Sequence, residues 1–181
     1  MEGQLQEDQM TLLSTIAQIA DHKGVNVYIV GGFVRDLLLN IRNLDTDLVV
    51  EGNAINFAET LAVKLNGLAK SHTRFGTSVV TLKDQSRIDV AMARVEYYSS
   101  PGVLPKVEGG SIEKDLSRRD FTVNSMAIKL NGQDAFCLID LFNSETDLKT
   151  GCIRVLHDQS FIEDPCRIFR AVRFEQRFKY R

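Results

Sequence analysis

Between residues 5 and 22 the apolar side chains Leu12, Leu13, Ile16, Ala17, Ile19 and Ala20 recur at helical spacing, and Gly24 follows as a C-terminal cap, so the pattern predicts a helix. VNVYIV (25–30) is instead a β-branched and aromatic run that stops at Gly31-Gly32, after which FVRDLLLN reads as a short helix. The unit is strand, glycine turn, helix. DTDLVV (45–50) predicts a second strand, and 55–65 a helix that stops at Asn66-Gly67. Residues 77–82 and 87–91 read as two strands joined through KDQS in a hairpin. The stretch 95–111, VEYYSSPGVLPKVEGGS, holds two of the three prolines and three glycines, and is expected to form one long mobile loop. A short helix at 112–116, the run SRRDFTVNSMAIKL leading into a strand, an Asn131-Gly132 turn and a return strand follow. Asp164-Pro165 then carries N-cap and first-position chemistry for a last helix. At about 100° per residue, Arg167, Arg170, Arg173 and Arg177 of that helix share one face roughly 120° wide. No internal repeat or low-complexity tract interrupts the chain.

Composition adds limits to this picture. The 181 residues are 44% hydrophobic and 25% charged, the ordinary mixture of soluble globular domains, and the length suits one large or two small domains. No apolar run is long enough to span a bilayer, and MEGQLQEDQM is acidic and polar where a secretory signal is basic and then apolar, so a cytoplasmic protein is expected. Cys137, Cys152 and Cys166 are odd in number, far apart and without ligand spacing, which reads as reduced thiols. A net charge of −2 argues against a general nucleic-acid coat, yet residues 165–181 alone carry +5, leaving −7 on the preceding 164. The final RFEQRFKYR has no helix-stop signal, so the chain is expected to be a fragment or truncation that closes inside an element.

Asp45 and Asp47 are the sharpest chemical feature. On a strand, positions i and i+2 share a face, so the two carboxylates are expected to project together and to suit a divalent cation with hard oxygen preference, Mg²⁺. Asp89, in RIDVA, joins them if its strand neighbours 45–50. Gly31-Gly32 opens a helix with Arg35 one turn in, which offers backbone N–H groups and a fixed cation to an anion; the spacing is neither GxGxxG nor GxxxxGK[ST]. Arg118-Arg119-Asp120 supplies two guanidiniums for phosphate oxygens and a carboxylate to orient one of them or to meet a ribose hydroxyl. Each feature alone also has a plainer reading: a solvated strand end, an edge-strand aspartate, a simple turn, a surface ion pair, a solvated basic helix. His22, His72 and His157 are scattered, and no serine or cysteine has an adjacent base. Carboxylates, metal, arginines and a glycine turn together match phosphoryl or nucleotidyl transfer, in which positioning and charge neutralisation supply most of the catalysis.

YIVGGFVRDLLL, DTDLVV, RRDFTVNSMA and EDPCRIFRAVRF, in that order over about 145 residues, resemble the head-domain motif series of the class II tRNA nucleotidyltransferase and poly(A) polymerase family, the CCA-adding enzymes. The resemblance implies an α/β (α+β) nucleotidyltransferase fold, a mixed sheet with flanking helices like the polymerase β palm, with residues 1–160 as catalytic head and 161–181 as the start of a helical neck. It implies that Gly31, Gly32 and Arg35 contact an incoming nucleoside triphosphate and that Asp45 and Asp47 coordinate Mg²⁺. Arg119 and Asp120 then engage ribose and phosphates with Arg118 in support, and Asp164, Arg167, Arg170 and Arg173 belong to a head-to-neck segment that also binds nucleotide. The 95–111 stretch resembles the family's flexible loop, associated with the final adenosine step. The implied reaction is attack of a tRNA 3′-hydroxyl on the α-phosphate of CTP or ATP with release of pyrophosphate. The family's base-selecting EDxxR-type motif lies downstream of DPxRxxRAxRF, and the residues that follow that segment here, 175–181, do not contain it. An A-adding or poly(A) polymerase relative and a non-catalytic nucleotide-binding module are the competing expectations.

Overall fold

The computed structural model describes residues 7–43 and 45–181. A seven-stranded mixed sheet is built from β1 (Asn26–Val30), β2 (Thr46–Glu51), β3 (Leu68–His72), β4 (Thr77–Thr81), β5 (Arg87–Met92), β8 (Met126–Lys129) and β9 (Leu138–Asp140), in the order β3-β4-β5-β2-β1-β8-β9. All neighbours are antiparallel except β2 and β5, which run parallel with Asp47 opposite Asp89. This is the mixed sheet that the motif series implies.

Strand alternation sorts the side chains onto two faces. Val27, Ile29, Leu48, Val50, Ile88 and Val90 point to one face and join the main core with helices α1 (Glu7–Lys23), α2 (Gly32–Leu38) and α3 (Ala54–Lys64). Leu13, Ile16, Phe33, Val34, Phe57 and Leu61 fill that layer. The opposite parity, Tyr28, Val30, Val49 and Ala127, forms a smaller cluster under Ile112 and Leu116 of α4 (Ile112–Ser117). α4 covers only part of this second face. Asp47 and Asp89 share its parity, in the part that the cluster does not include.

Most of the expected helices and strands recur within a residue or two, and the differences are instructive. Asp45 is not in a strand: β2 begins at Thr46, and the Asp45 N–H donates to the Asn43 carboxamide oxygen at 2.8 Å. The expected loop 95–111 is largely a ribbon of β6 (Arg94–Tyr97) and β7 (Lys106–Gly109), antiparallel and separate from the main sheet. Pro101 and Pro105 lie outside its ladder, where the missing N–H costs nothing. β3 was not expected, because LAKSH alternates exposed and half-buried rather than apolar and polar. Helix α5 (Ser144–Thr150) was not expected either; its polar sequence buries only Ser144, Asp147 and Leu148. The first residues of the expected 5–22 helix lie outside the described ones.

After the short α6 (Ser160–Glu163), the last helix α7 (Cys166–Phe178) begins as expected at Asp164-Pro165, with the Asp164 carboxylate accepting from the Cys166 N–H at 3.0 Å. α7 lies back on the main core through Ala171 and Phe174. Contrary to the expectation that the last residues lie inside an element, α7 stops at Phe178, where Lys179 turns left-handed at φ 58°; the Arg181 N–H then donates to Gly151 O, and Ile153 N–H donates to Arg181 O. No described helix is long and apolar enough to cross a membrane.

Candidate active site

The strand-turn-helix unit sets one wall of a large cleft. Gly31 sits at φ 66°, ψ −128°, a backbone conformation that L side chains avoid, and a Cβ there would stand 3.1 Å from Arg119 Nη1 and 4.0 Å from Asp47 Oδ2. Glycine therefore lets the end of β1 turn while leaving room for the arginine and carboxylate that face it. The cleft, of about 1330 Å³, runs from this turn past Asp45 and Asp47, along Arg94 and Glu96 of the ribbon and Tyr98 just after it, to the inner face of α7.

Its lining is unusual for an acidic chain. Nine arginines line it against six carboxylates, so an excess of cations faces the solvent-filled space. Of the predicted site residues, Gly31, Gly32, Arg35, Asp45, Asp47, Arg118, Arg119, Asp120, Asp164, Arg167, Arg170 and Arg173 all line this one cleft. The folded chain thus brings together residues from 31 to 173. Asp89 stands apart: it is Asp47's register partner but is 56% exposed, lies outside the lining, and has Arg87 at 4.0 Å.

Asp47 is the most perturbed carboxyl in the cleft. Burial, first, and then the neighbouring charge of Asp89 push its pKa up to about 6; Arg119 opposes this and Asp45 adds to it. The physical content is an anion held half-buried beside other anions, a place where an added cation is favoured. Among the described residues no group of three or more His, Cys, Asp or Glu side chains is close enough to hold a metal, so the candidate ligands reduce to the Asp45 and Asp47 pair.

The arginines fall into two kinds. Arg35 is 4% exposed and fully engaged: Nε donates to Asp36 Oδ1 at 2.8 Å, Nη1 to Asn124 Oδ1 at 2.6 Å, and the rings of Phe178 and Phe174 lie 4.7 and 5.4 Å from its guanidinium carbon. It supports the floor of the cleft, and Asp36 already neutralises its charge. Arg167 is as deeply buried and donates to Ser160 and to the Arg118 carbonyl. Arg170 pairs with Asp120 at 2.6 Å, and Asp120 also accepts from the Phe121 N–H and the Asn124 amide. Arg173, by contrast, has no ion pair among the described residues. The expected arginine face is real: Arg167, Arg170, Arg173 and Arg177 all line the cleft.

Three carboxylates or arginines that sequence reasoning missed organise the others. Asp115, 0% exposed, accepts from Arg118 and Arg119 at 2.6 and 2.9 Å. Glu96 of β6 accepts from Arg94 and Arg118 at 2.8 and 2.9 Å and from the Tyr98 hydroxyl. Arg94 also lines the cleft. The signal was present in KDLSRR, where Asp115 stands three and four residues before the arginines, the spacing at which helical side chains meet.

Residues 27–154, well over half of the chain, match the family described as the poly A polymerase head domain. The chain is 48% identical over 180 residues to an A-adding tRNA nucleotidyltransferase of Geobacter sulfurreducens, covering 99% of this chain and 20% of that protein. It is 41% identical to an A-adding tRNA nucleotidyltransferase of Halalkalibacterium halodurans, covering 100% of this chain and 42% of that protein. A solved CCA-adding enzyme in an apo form superposes with a TM-score of 0.93 at 53% identity, over 99% of this chain and 42% of that one. A CCA-adding enzyme complexed with CTP superposes with a TM-score of 0.87 at 48% identity, over 99% of this chain and 40% of the other. The chain thus spans between a fifth and somewhat under half the length of these relatives. A cleft that collects the whole predicted motif series, on a sheet that superposes on solved members, agrees with the match along the sequence: the chain belongs to the poly A polymerase head domain family.

Proposed function

We propose that this chain is the catalytic head of a tRNA nucleotidyltransferase, which transfers a nucleotide from CTP or ATP to the 3′ end of tRNA and releases pyrophosphate. The observation that carries the reading is the cleft itself: the half-buried Asp47 beside the exposed Asp45 at one end and an excess of arginines along the rest. A triphosphate needs both, a cation at its reacting end and guanidiniums along its oxygens. Residues 1–160 form the head in this reading and 161–181 open a helical neck. The setting is cytoplasmic, in keeping with three free cysteines.

Asp45 and Asp47 fit a divalent cation, Mg²⁺ by their all-oxygen chemistry, because a cation relieves the repulsion that raises Asp47. When bound there, Mg²⁺ supplies a lowered pKa for an attacking hydroxyl and neutralises charge on the phosphates. Asp89 contributes through its field on Asp47, from outside the lining. The Gly31-Gly32 turn allows close approach of a phosphate to backbone. Arg119, Arg118 and Arg173 meet phosphate oxygens, and Arg170 reaches them by exchanging its bond to Asp120, whose freed carboxylate can accept from a ribose hydroxyl. Arg35, Arg167 and Asp164 hold the cleft wall and the start of α7 rather than offering free charge.

A narrower reading, addition of A alone, is favoured by relatives at 41–48% identity named as A-adding enzymes. A solved neighbour at 49% identity is instead a CCA-adding enzyme complexed with ATP, and another at 48% one complexed with tRNA. The test supplies Mg²⁺, labelled CTP or ATP, and tRNA lacking its 3′ end, with and without a second polypeptide corresponding to the part of a relative that this chain does not match. Label incorporated from both triphosphates, and abolished by Asp45→Ala, is the expected result. ATP alone selects the narrower reading. Incorporation insensitive to Asp45→Ala refutes the mechanism, and nucleotide binding with no incorporation in either arm favours a non-catalytic module.

A further inference from the structure

We propose that Asp115 is a positioning residue that holds Arg118 and Arg119 in the geometry a triphosphate meets, an inference that rests on the proposed function. Asp115 lies in α4, on the part of the sheet face that α4 covers, and its carboxylate is completely removed from solvent. One oxygen accepts from Arg118 Nε at 3.0 Å and Nη2 at 2.6 Å, a fork in which both guanidinium donors point the same way; the other accepts from Arg119 Nη2 at 2.9 Å. The Arg94 N–H, at the start of the ribbon, donates to the first oxygen at 3.3 Å. A bidentate, charge-assisted contact fixes the plane of a guanidinium as well as its place.

What this leaves of Arg119 is informative. Its Nη2 donation to Asp115 is its sole side-chain hydrogen bond among the described residues, and its buried Nε has no acceptor. Nη1 stands over the Gly31 turn, 3.1 Å from where a Cβ would be. Asp47 Oδ2 stands 4.0 Å from the same point, so Arg119 and the candidate metal pair face one turn. Without Asp115, a flexible guanidinium with unmatched donors would be free to turn toward Asp47, whose carboxylate faces the same Gly31 turn. Asp115 holds the cation back by Nη2 and leaves Nη1 facing the turn. Arg118 is held at its other end by Glu96, so the same carboxylate ties the ribbon to the arginine pair.

Two measurements on the whole chain test this. The first is the Nε–H resonances of Arg118 and Arg119 in heteronuclear NMR spectra, which require no nucleotide. In the wild-type protein both are expected as sharp, slowly exchanging signals; rapid exchange or averaging of both overturns the proposal without any variant, and so remains decisive even where Asp115→Asn does not fold. In folded Asp115→Asn both signals are expected to broaden or vanish while the backbone spectrum is retained, and unchanged signals overturn the proposal. The second is binding of CTP and ATP with Mg²⁺. Asp115→Asn is expected to weaken it about tenfold or more, a loss that shrinks in an Arg119→Ala background because the carboxylate acts through the arginine. Binding within twofold of wild type, or full additivity with Arg119→Ala, overturns it. A wild-type chain that binds neither triphosphate sinks the proposed function instead, and the arginine resonances still decide whether Asp115 positions its partners.

Discussion

Replacing Asp47 by asparagine should stabilise the metal-free protein, and only above a particular pH. The Asp47 carboxyl is raised from its ordinary 3.8 to about 6 by burial and by Asp89, so the folded state binds a proton more tightly than the unfolded one. The stability linked to that proton is fully present below pH ~4 and is lost as pH rises through about 6. Asparagine keeps the size and removes the titration. No protein donor among the described residues bonds to Asp47, so no hydrogen bond is broken. A shift of about two units corresponds to a ceiling of about 3 kcal/mol at ~1.4 kcal/mol per unit. Solvent screening of the half-buried carboxylate reduces the expectation to roughly 1–2 kcal/mol, or about 2–8 °C in Tm for a domain of this size. The assay is thermal and urea unfolding of both proteins in chelator at pH 4 and pH 8. Near-equal stability at pH 4 and a more stable variant at pH 8 is expected. Saturating Mg²⁺ should then raise wild type alone, because only the intact pair binds the ion in the folded state. A variant no more stable than wild type at pH 8, or one equally favoured at both pH values, would refute the account of Asp47 as a repelled anion awaiting a cation.

Gly31→Ala should destabilise the fold by about 1–3 kcal/mol in urea unfolding, since it forces a side chain into φ 66°, ψ −128° and against Arg119. It should weaken triphosphate binding as well; a variant with unchanged midpoint and affinity would show that the turn is an ordinary one. Phe174→Ala removes the ring set edge-on to Phe121 at 5.8 Å and 5.4 Å from the Arg35 guanidinium. A loss of about 1–3 kcal/mol, with a rise in protease cleavage confined to the 164–181 segment, is expected for a half-buried aromatic that seats α7 on the core.

The site was more legible than the fold around it. Asp45, Asp47, the glycine pair and the RRD triplet carry residue types whose chemistry speaks in isolation, and their order along the chain resembled a known motif series. Asp89 was placed by parity alone: the strand pattern put it opposite Ile88 and Val90, and its pairing with Asp47 follows from β2 and β5 lying side by side. That adjacency set its influence on Asp47, while its exposure kept it out of the cleft. The ribbon β6–β7 was hidden because prolines and glycines dominated the 95–111 composition, although the four-residue strands themselves contain none of the prolines.

By itself the sequence determined the alternation that splits apolar and acidic residues between two sheet faces, the turn at Gly31-Gly32, and the single face on which the α7 arginines stand. These depend on spacing along a strand or helix, which local geometry imposes. Only the tertiary structure decided which charges are free and which are matched. Arg35 and Arg167 looked like ligand-binding cations and are neutralised or buried; Arg173 is exposed to the cleft; Asp115, unremarked in the chain, is the anion on which two arginines depend. Neutralisation acts between residues as far apart as Glu96 and Arg118 or Asp120 and Arg170, and it is decided by distances of a few ångströms that exist only after the chain has folded.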